Sequence, residues 1–386
     1  MPVQSSRAVR FALLIAALAL AGCAALLDDA GPQDAPDLVN PRQVIALLPD
    51  AQGVAQMRAE TEAEGYRELR VTRLAGLGLT MMTYRMPDGV TGEEAIFALE
   101  AAVPSSSVGL NHAYRPQQAG AVRGLDYADG LMGWTEGACR AQMAIGMIDT
   151  AIDPLTPSLE GVRVETRQFF NGPAADPQHG TDVASILADP ARLRDVTLYS
   201  ANVFGGSGGG DLVTGAEALV RALDWLATEE VRLVNLALAG PYNKLLDLAV
   251  ARASARGLIL VAAVGNDGPA VEPMYPAGFD NAIAVTAVDV DRRVYRNAVR
   301  GPHVDVAAPG VDVRIRGAGG ARFVTGTSIA TPFVTARLAA DPDVVAARNT
   351  DEVRALLART SAELGASGRD PTFGFGLAKA EGVCGG

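Results

Sequence analysis

Four polar residues of the chain are of the types that nucleophilic acyl transfer uses. Ser328 follows a glycine–threonine turn and opens a stretch that can form a helix. His179 begins another helical stretch, Asp149 ends an apolar strand, and Asn266 follows a further apolar strand. A serine nucleophile needs a general base with a pKa near neutral, and histidine is the usual one. An asparagine amide can donate to a developing oxyanion.

Each of these residues also has a structural interpretation. A serine at the positive end of a helix dipole is well placed as a nucleophile, but the segment around Ser328 alone favours an N-cap. A carboxylate at a strand tip, such as Asp149, either caps a turn or takes part in chemistry, and nothing local decides between the two. An asparagine after a strand, such as Asn266, is more often a turn residue.

The histidines narrow the choice of a general base. The chain has three, at positions 112, 179 and 303. His112 belongs to a small N-terminal unit, and His303 precedes a strand-like segment, where a structural or exposed role is the simpler interpretation. His179 follows a loop and is flanked by Gly180, so it is the best candidate for the base.

Composition limits the class of protein. The 386 residues leave room for two or three domains, and 49% hydrophobic with 20% charged residues indicates a globular chain. The net charge of -11 and the lack of a basic stripe argue against a nucleic-acid partner.

The first residues have the layout of an export signal. Arg7 and Arg10 precede an apolar run over 11–21, which is shorter than the ~20 residues that a transmembrane helix needs. The run ends in Leu20-Ala21-Gly22-Cys23, which resembles the lipobox of bacterial lipoproteins. We therefore predict a lipoprotein signal peptide over 1–22, a lipid anchor on Cys23 and a flexible tether over 23–41. The alternative is a short buried helix with an incidental cysteine.

Two further cysteines fit an exported protein. Cys139 precedes the first apolar strand of the larger part of the chain, and Cys384 is near the C-terminus. An even pair in an oxidising compartment predicts a disulfide between them, and two unpaired thiols are the alternative.

The chain divides into two folded parts. Residues 42–117 have the order β-α-β-β-α-β of a ferredoxin-like unit, whose last strand is predicted over 108–114. Residues 118–138 read as a linker. From 139 to 386, near-continuous apolar strands alternate with helices, which indicates a parallel sheet covered on both faces. The predicted strands are 143–148, 196–203, 231–238, 258–264 and 282–288, and the predicted helices are 181–188, 214–228 and 245–256.

Four blocks around the candidate residues resemble the signature blocks of the subtilisin-like serine peptidases (subtilases, peptidase family S8). The Asp, His, Ser order along the chain is also that of subtilisin. The resemblance covers about residues 139–384, and the unit at 42–117 resembles the family's propeptide. The blocks are Ile148-Asp149-Thr150-Ala151-Ile152-Asp153, His179-Gly180-Thr181, Ala263-Val264-Gly265-Asn266 and Gly326-Thr327-Ser328-Ile329-Ala330-Thr331-Pro332.

The resemblance implies an α/β fold: a subtilisin-like three-layer α/β/α arrangement with a mostly parallel sheet, preceded by a small ferredoxin-like α+β propeptide domain. It makes Ser328 the nucleophile, His179 the base and Asp149 the group that orients the imidazole. Asn266 and the Ser328 N–H would form the oxyanion hole. The substrate backbone would lie between two segments, which contain Ala237, Leu238 and Ala239 on one side and Gly206, Ser207 and Gly208 on the other.

Three departures from the family pattern stand out. Asp182 replaces the histidine that usually follows the His-Gly-Thr block, and Ala237 and Ala239 replace a common serine and glycine. Side chains at these two positions are expected to narrow the groove for the substrate backbone. No calcium-binding segment of the family is recognisable, so no metal site is assigned, and a structural calcium ion stays open as an alternative. The resemblance implies that catalysis requires no cofactor.

The resulting hypothesis is a serine endopeptidase made as a proenzyme, exported and lipid-anchored at the bacterial cell envelope, facing the periplasm. The linker at 118–138 would hold the processing site. Its partners would be protein or peptide substrates, its own propeptide as intramolecular inhibitor, and the membrane. The alternative is a catalytically inactive binding protein on the same scaffold. A second alternative makes the N-terminal unit a permanent interaction module.

Overall fold

The computed structural model describes residues 38–117, 127–134, 139–206, 212–317 and 320–384. The predicted signal, Cys23, most of the tether and most of the linker lie outside these residues. Within the described part, no helix has both the length and the apolar character needed to cross a membrane.

The N-terminal unit is a four-stranded antiparallel sheet with two helices. The strands lie in the order β2-β3-β1-β4, and each neighbouring pair is antiparallel. This is the predicted β-α-β-β-α-β order. The elements are β1 (Gln43–Leu48), α1 (Ala51–Ala63), β2 (Arg67–Leu74), β3 (Leu79–Arg85), α2 (Gly92–Ala102) and β4 (Ser107–Leu110).

Side-chain caps begin both helices of this unit. The Asp50 carboxylate accepts from the N–H of Gly53 at 2.7 Å. Thr91 and Glu94 form a capping box, in which each side chain accepts from the backbone N–H of the other residue. Such caps satisfy N–H groups that have no partner inside the helix, so they place the start of α1 and α2.

The inner strand β1 of this unit is buried on both faces. Alternate residues of a strand point to opposite faces. Val44 and Ala46 pack in a core of the unit's own, with residues of α1 and α2 such as Met57. Ile45 and Leu47 instead belong to the large core of the rest of the chain. The N-terminal unit is therefore packed on the larger part through one face of its inner strands β1 and β3, whereas most of β2 is exposed.

The predicted strand over 108–114 is wrong as a single element. The structure divides it at Asn111 and His112, and the chain beyond them forms β5 (Ala113–Pro116) in a different sheet. The Asn111 Oδ1 accepts from the N–H of Glu217, in the larger part of the chain, at 3.2 Å. The sequence has two polar residues at this point, Asn111 and His112, but it does not show that the chain changes its pairing partner there.

The chain after β5 contains thirteen further strands and seven α-helices in its described residues. The strands are β6 (Cys139–Arg140), β7 (Ile145–Asp149), β8 (Arg163–Gln168), β9 (Leu193–Arg194), β10 (Thr197–Asn202), β11 (Thr214–Gly215), β12 (Leu233–Leu236), β13 (Leu238–Ala239), β14 (Ile259–Ala263), β15 (Ala282–Val288), β16 (Val306–Pro309), β17 (Val313–Gly317) and β18 (Gly320–Val324). The helices are α3 (Ala128–Met132), α4 (Gln178–Leu187), α5 (Ala216–Thr228), α6 (Lys244–Ala255), α7 (Thr327–Ala340), α8 (Pro342–Ala346) and α9 (Thr350–Thr360).

A seven-stranded parallel sheet is the centre of this part. Its order is β16-β15-β14-β12-β7-β10-β8, and every neighbouring pair is parallel. The five strands predicted from apolar runs are all present. The edge strand β8 was not predicted, and β16 corresponds to the strand-like segment that follows His303 in the sequence. β8 is polar because it lies at an exposed edge, and β16 is only four residues long.

A disulfide joins the two ends of the larger part. Cys139 of β6 is bonded to Cys384, and their Cα atoms are 5.0 Å apart. Both residues lie after the N-terminal unit, so this bond does not link that unit to the rest of the chain.

Candidate active site

Asp149 and His179 form a buried pair at the carboxyl end of the sheet. Asp149 is the last residue of β7, and His179 is the second residue of α4. The imidazole Nδ1 donates to Asp149 Oδ1 at 2.6 Å. This bond leaves Nε2 of the neutral ring as an acceptor. Nε2 is buried and has no hydrogen-bond partner among the described residues.

Two threonines hold the start of α4 against the end of β7. Thr150 Oγ1 accepts from the N–H of Gly180 at 2.7 Å, and Thr181 Oγ1 accepts from the N–H of Asp153 at 2.9 Å. A Cβ at Gly180 would lie 2.5 Å from the carbonyl oxygen of Thr150. The close approach therefore requires glycine beside His179, which explains the His-Gly-Thr sequence physically.

Ser328 lies at the N-terminus of α7, a helix whose residues are all buried. The first N–H groups of a helix have no partner within it. The Ser328 N–H donates to the carbonyl oxygen of Gln117 at 3.2 Å, and the Ser328 hydroxyl donates to the same oxygen. The nucleophile candidate and one oxyanion donor candidate therefore meet on one backbone carbonyl.

Thr327 fixes the side chain of Asn266. The Asn266 Oδ1 accepts from the Thr327 N–H at 3.1 Å and from the Thr327 hydroxyl at 3.0 Å. That hydroxyl accepts in turn from the N–H of Gly265 at 3.2 Å. With its oxygen held, the orientation of the Asn266 NH2 group is fixed as well. Sequence reasoning missed this role, although Thr327 stands directly before Ser328 in the recognised block.

The segment that ends at Gln117 occupies a groove beside Ser328. β5 is the middle strand of a three-stranded sheet, antiparallel to β11 on one side and to β13 on the other. The Gln117 N–H continues the pairing and donates to the carbonyl oxygen of Ala237 at 3.3 Å. An extended peptide that adds a strand to a groove is a common mode of peptide recognition. From the sequence, Gln117 was predicted only to be the last residue of the N-terminal unit over 42–117.

The predicted substrate-binding residues fall into two groups. Leu238 and Ala239 form β13, directly beside β5, and Ala237 precedes them. Gly206 instead bonds to Pro173, to whose carbonyl its N–H donates at 2.9 Å. Ser207 and Gly208 lie outside the described residues. The described neighbour of β5 on that side is β11, and the role predicted for Gly206 stays a prediction.

Asp182 lies one turn after His179 on α4 and forms an ion pair with Arg322 of β18. The carboxylate side chain is 1% exposed and the guanidinium side chain 33% exposed. The pair links the helix of His179 to the hairpin of β17 and β18, which leads directly into the segment of Ser328. Asp182, which replaces the family's usual histidine, therefore has an ion-pair partner in this chain.

The other two histidines are outside this site. Burial lowers the pKa of His112, which accepts at Nδ1 from the Asn243 side chain at 3.0 Å. Burial, together with the nearby Arg369, lowers the pKa of His303. In the described residues, no group of three or more His, Cys, Asp or Glu side chains could hold a metal ion.

The chain belongs to the subtilase family. Residues 140–376, more than half of its length, match the Subtilase family. By class it is therefore a member of the subtilisin-like family, and subtilases need no cofactor for catalysis.

Similar proteins agree with this class. Minor extracellular protease Epr of Bacillus subtilis (strain 168) is 28% identical over 254 residues, which are 63% of this chain and 39% of that protein. Subtilisin Savinase of Lederbergia lenta is 32% identical over 212 residues, 53% of this chain and 76% of that protein. The alkaline protease of Shouchella clausii is 32% identical over 53% of this chain, and the match spans 54% of that protein. The chain thus spans about half the length of some relatives.

A solved structure confirms the predicted fold class. Fervidolysin from Fervidobacterium pennivorans, a keratinolytic enzyme related to subtilisin, matches 92% of this chain and 62% of its own with a TM-score of 0.73. The sequence identity is 20%, so this likeness concerns the fold.

Proposed function

We propose that this chain is an exported, lipid-anchored serine endopeptidase, made as a proenzyme whose N-terminal unit occupies the active site until it is cut. The observation that carries the proposal is the position of the Gln117 carbonyl, which accepts hydrogen bonds from both the hydroxyl and the N–H of Ser328. A peptide carbonyl held there, at the end of a strand-paired segment, has the position that a scissile bond needs.

The site supports the following chemistry. Ser328 Oγ attacks the carbonyl carbon of the substrate, and its proton passes to His179 Nε2, the ring nitrogen left as acceptor. Asp149, bonded to Nδ1, holds the tautomer and stabilises the imidazolium. The Ser328 N–H and the Asn266 amide stabilise the oxyanion. The proton then passes from Nε2 to the leaving amine, which leaves an acyl group on Ser328. Water, deprotonated by His179, hydrolyses this ester.

The N-terminal unit acts as propeptide and inhibitor in this proposal. It is packed on the larger part through one face of its sheet, and contacts such as the Lys244–Glu100 and Arg70–Glu217 ion pairs cross the interface. The expected cut follows Gln117. After it, the fragment would stay bound because these contacts do not depend on the peptide bond.

Export and anchoring rest on the sequence of the N-terminus. The lipobox-like Leu20-Ala21-Gly22-Cys23 supports a lipid on Cys23 and a location at the cell envelope, on the periplasmic side. The name of the relative Epr, an extracellular protease, agrees with export. The partners would be protein or peptide substrates and the membrane.

The test compares wild-type protein with Ser328→Ala. Wild-type protein is expected to be cut between Gln117 and Gln118, as determined by intact mass, and to react with a fluorophosphonate probe. Ser328→Ala is expected to remain one chain and not to react. Ser361→Ala, the same change at a serine after α9, serves as the matched control and should behave as wild type. Equal labelling of wild type and Ser328→Ala, or a wild-type chain that remains both uncut and unlabelled, would favour the inactive binding protein instead.

A further inference from the structure

The side chain of Gln117 is held as specifically as its carbonyl. Gln117 is buried, and both ends of its carboxamide have partners. The Oε1 accepts from the backbone N–H of Asn266 at 2.8 Å, and the Nε2 donates to the carbonyl oxygen of Arg115 at 3.2 Å. One partner belongs to the catalytic part, and the other belongs to the bound segment itself.

The partner in the catalytic part is a fixed group. Asn266 directly follows the Gly265 that bonds to Thr327, so its backbone is tied to the start of α7. Because the backbone of Asn266 is fixed, its N–H cannot reorient toward another acceptor. A side chain without an oxygen at this point would leave the N–H unpaired or dependent on water, which disfavours binding.

We propose that the peptidase cuts after glutamine. In this proposal the backbone N–H of Asn266 recognises the residue before the scissile bond by donating a hydrogen bond to its carboxamide oxygen. This inference rests on the proposed function and adds its substrate class. Glutamate can accept from the same N–H, but it cannot donate to the carbonyl oxygen of the residue two positions before it. Its negative charge would also lie beside the carbonyl on which the oxyanion develops. Methionine has a similar length and offers neither group.

A second residue of the segment supports a specific substrate. Tyr114, three residues before Gln117, is fully buried, and its hydroxyl donates to the carbonyl oxygen of Pro241 at 3.0 Å. A Cβ at Gly240 would lie 2.5 Å from the Tyr114 ring, so the missing side chain of Gly240 makes the space for this ring. A site that hydrogen-bonds a hydroxyl rejects an analogue without it. The substrate class is therefore a peptide with glutamine before the cut and tyrosine three residues upstream.

The test uses wild-type protein as purified, with its free active sites counted by fluorophosphonate titration. The parent substrate is Ala-Tyr-Arg-Pro-Gln with a fluorogenic leaving group, matching Ala113–Gln117. Three further peptides replace Gln by Met, Gln by Glu, or Tyr by Phe. The expected kcat/KM is about tenfold lower for the Met and Phe peptides and lower still for the Glu peptide. A Met peptide cut as fast as the Gln peptide would overturn the glutamine preference.

An enzyme variant separates specificity from general damage. Gly240→Ala is expected to lower kcat/KM more for the Tyr peptide than for a peptide with Ala in place of Tyr. The added Cβ would lie 2.8 Å from the Ala113 carbonyl oxygen, which both peptides contain, but only the Tyr peptide also brings a ring to within 2.5 Å of it. An equal loss for both peptides would overturn the role of Gly240. Absence of cleavage for every peptide, together with a chain that remains uncut after Gln117 and unlabelled at Ser328, would contradict the proposed function itself. Cleavage that depends on Ser328 but has the same kcat/KM for every peptide would contradict only the proposed specificity.

Discussion

Ser328 donates two hydrogen bonds to the backbone carbonyl of Gln117, one from its hydroxyl and one from its N–H. The two residues are 211 positions apart in the chain. β5 brings them together, because it leaves the N-terminal sheet and pairs with β11 and β13 of the larger part. The relationship connects the fold of the N-terminal unit with the chemistry of the proposed active site.

Thr327 should affect catalysis without touching the substrate. Thr327→Val removes the hydroxyl that bridges Asn266 and Gly265, so the Asn266 amide loses part of its fixed orientation. Because a misplaced oxyanion donor weakens transition-state stabilisation, we expect kcat to fall roughly ten- to hundredfold with little change in KM. Steady-state kinetics on one peptide would measure both constants. Thr327→Ser keeps the hydroxyl and should restore most of kcat, and a Ser variant as slow as the Val variant would count against this role.

Binding of the N-terminal unit to the larger part of the chain should weaken at mildly acidic pH. The Asn243 Oδ1 accepts from two N–H groups of α6, so its Nδ2 must donate to His112 Nδ1, which has to remain unprotonated. Burial accordingly lowers the pKa of His112 from its ordinary 6.5. The bound state thus favours the neutral ring. The contribution of neutral His112 to binding of the N-terminal unit is complete above about pH 6.5. It is lost as the pH falls below that value, by up to about tenfold in affinity per pH unit.

The measurement is the fraction of Ser328 that reacts with a fluorophosphonate in the cut protein between pH 7 and 5. His112→Gln keeps an acceptor that does not titrate, and it corrects for every other effect of pH on the labelling of Ser328. Wild type should gain reactivity relative to His112→Gln as the pH falls. A constant ratio of the two proteins would refute the idea.

The cut after Gln117 should separate the catalytic part from its anchor. Cys23 lies before the cut, whereas both ends of the Cys139–Cys384 disulfide lie after it. No covalent bond would then join the anchor to Ser328. Membrane fractionation is expected to find the cut catalytic part released from membranes once the N-terminal fragment dissociates, with that fragment left behind.

The uncut Ser328→Ala chain provides the control, because it should stay with membranes whole. A catalytic part that remains membrane-bound after losing the fragment would show that it has an anchor of its own. A Cys23→Ser chain that still partitions with membranes would contradict the lipid anchor.

Loss of the disulfide should lower the stability of the catalytic part. It closes a loop of 245 residues, for which the loop-entropy estimate is about 5 kcal/mol. Removal of native disulfides typically costs ~2–5 kcal/mol. We expect the Cys139→Ser/Cys384→Ser protein to unfold at a lower denaturant concentration than wild type. Reductant should lower the unfolding midpoint of wild type and leave that of the double variant unchanged. An unchanged midpoint would mean that the bond contributes nothing to stability.

The sequence by itself determined the five inner strands of the parallel sheet and the four blocks that carry Asp149, His179, Asn266 and Ser328. Buried strands leave a continuous apolar run, and polar residues at their ends stand out against it. The order of the N-terminal elements was also readable, because each strand and helix has a local pattern and the helices have caps.

Only the tertiary structure decided how the site is completed. The break at Asn111 and His112, the transfer of β5 to another sheet and the contact of Gln117 with Ser328 depend on pairing between residues far apart in the chain. Thr327 and Gly240 likewise gain their roles from what lies across from them, the Asn266 amide and the Tyr114 ring. Local sequence patterns record which face a residue buries, but they do not record the partner that it meets.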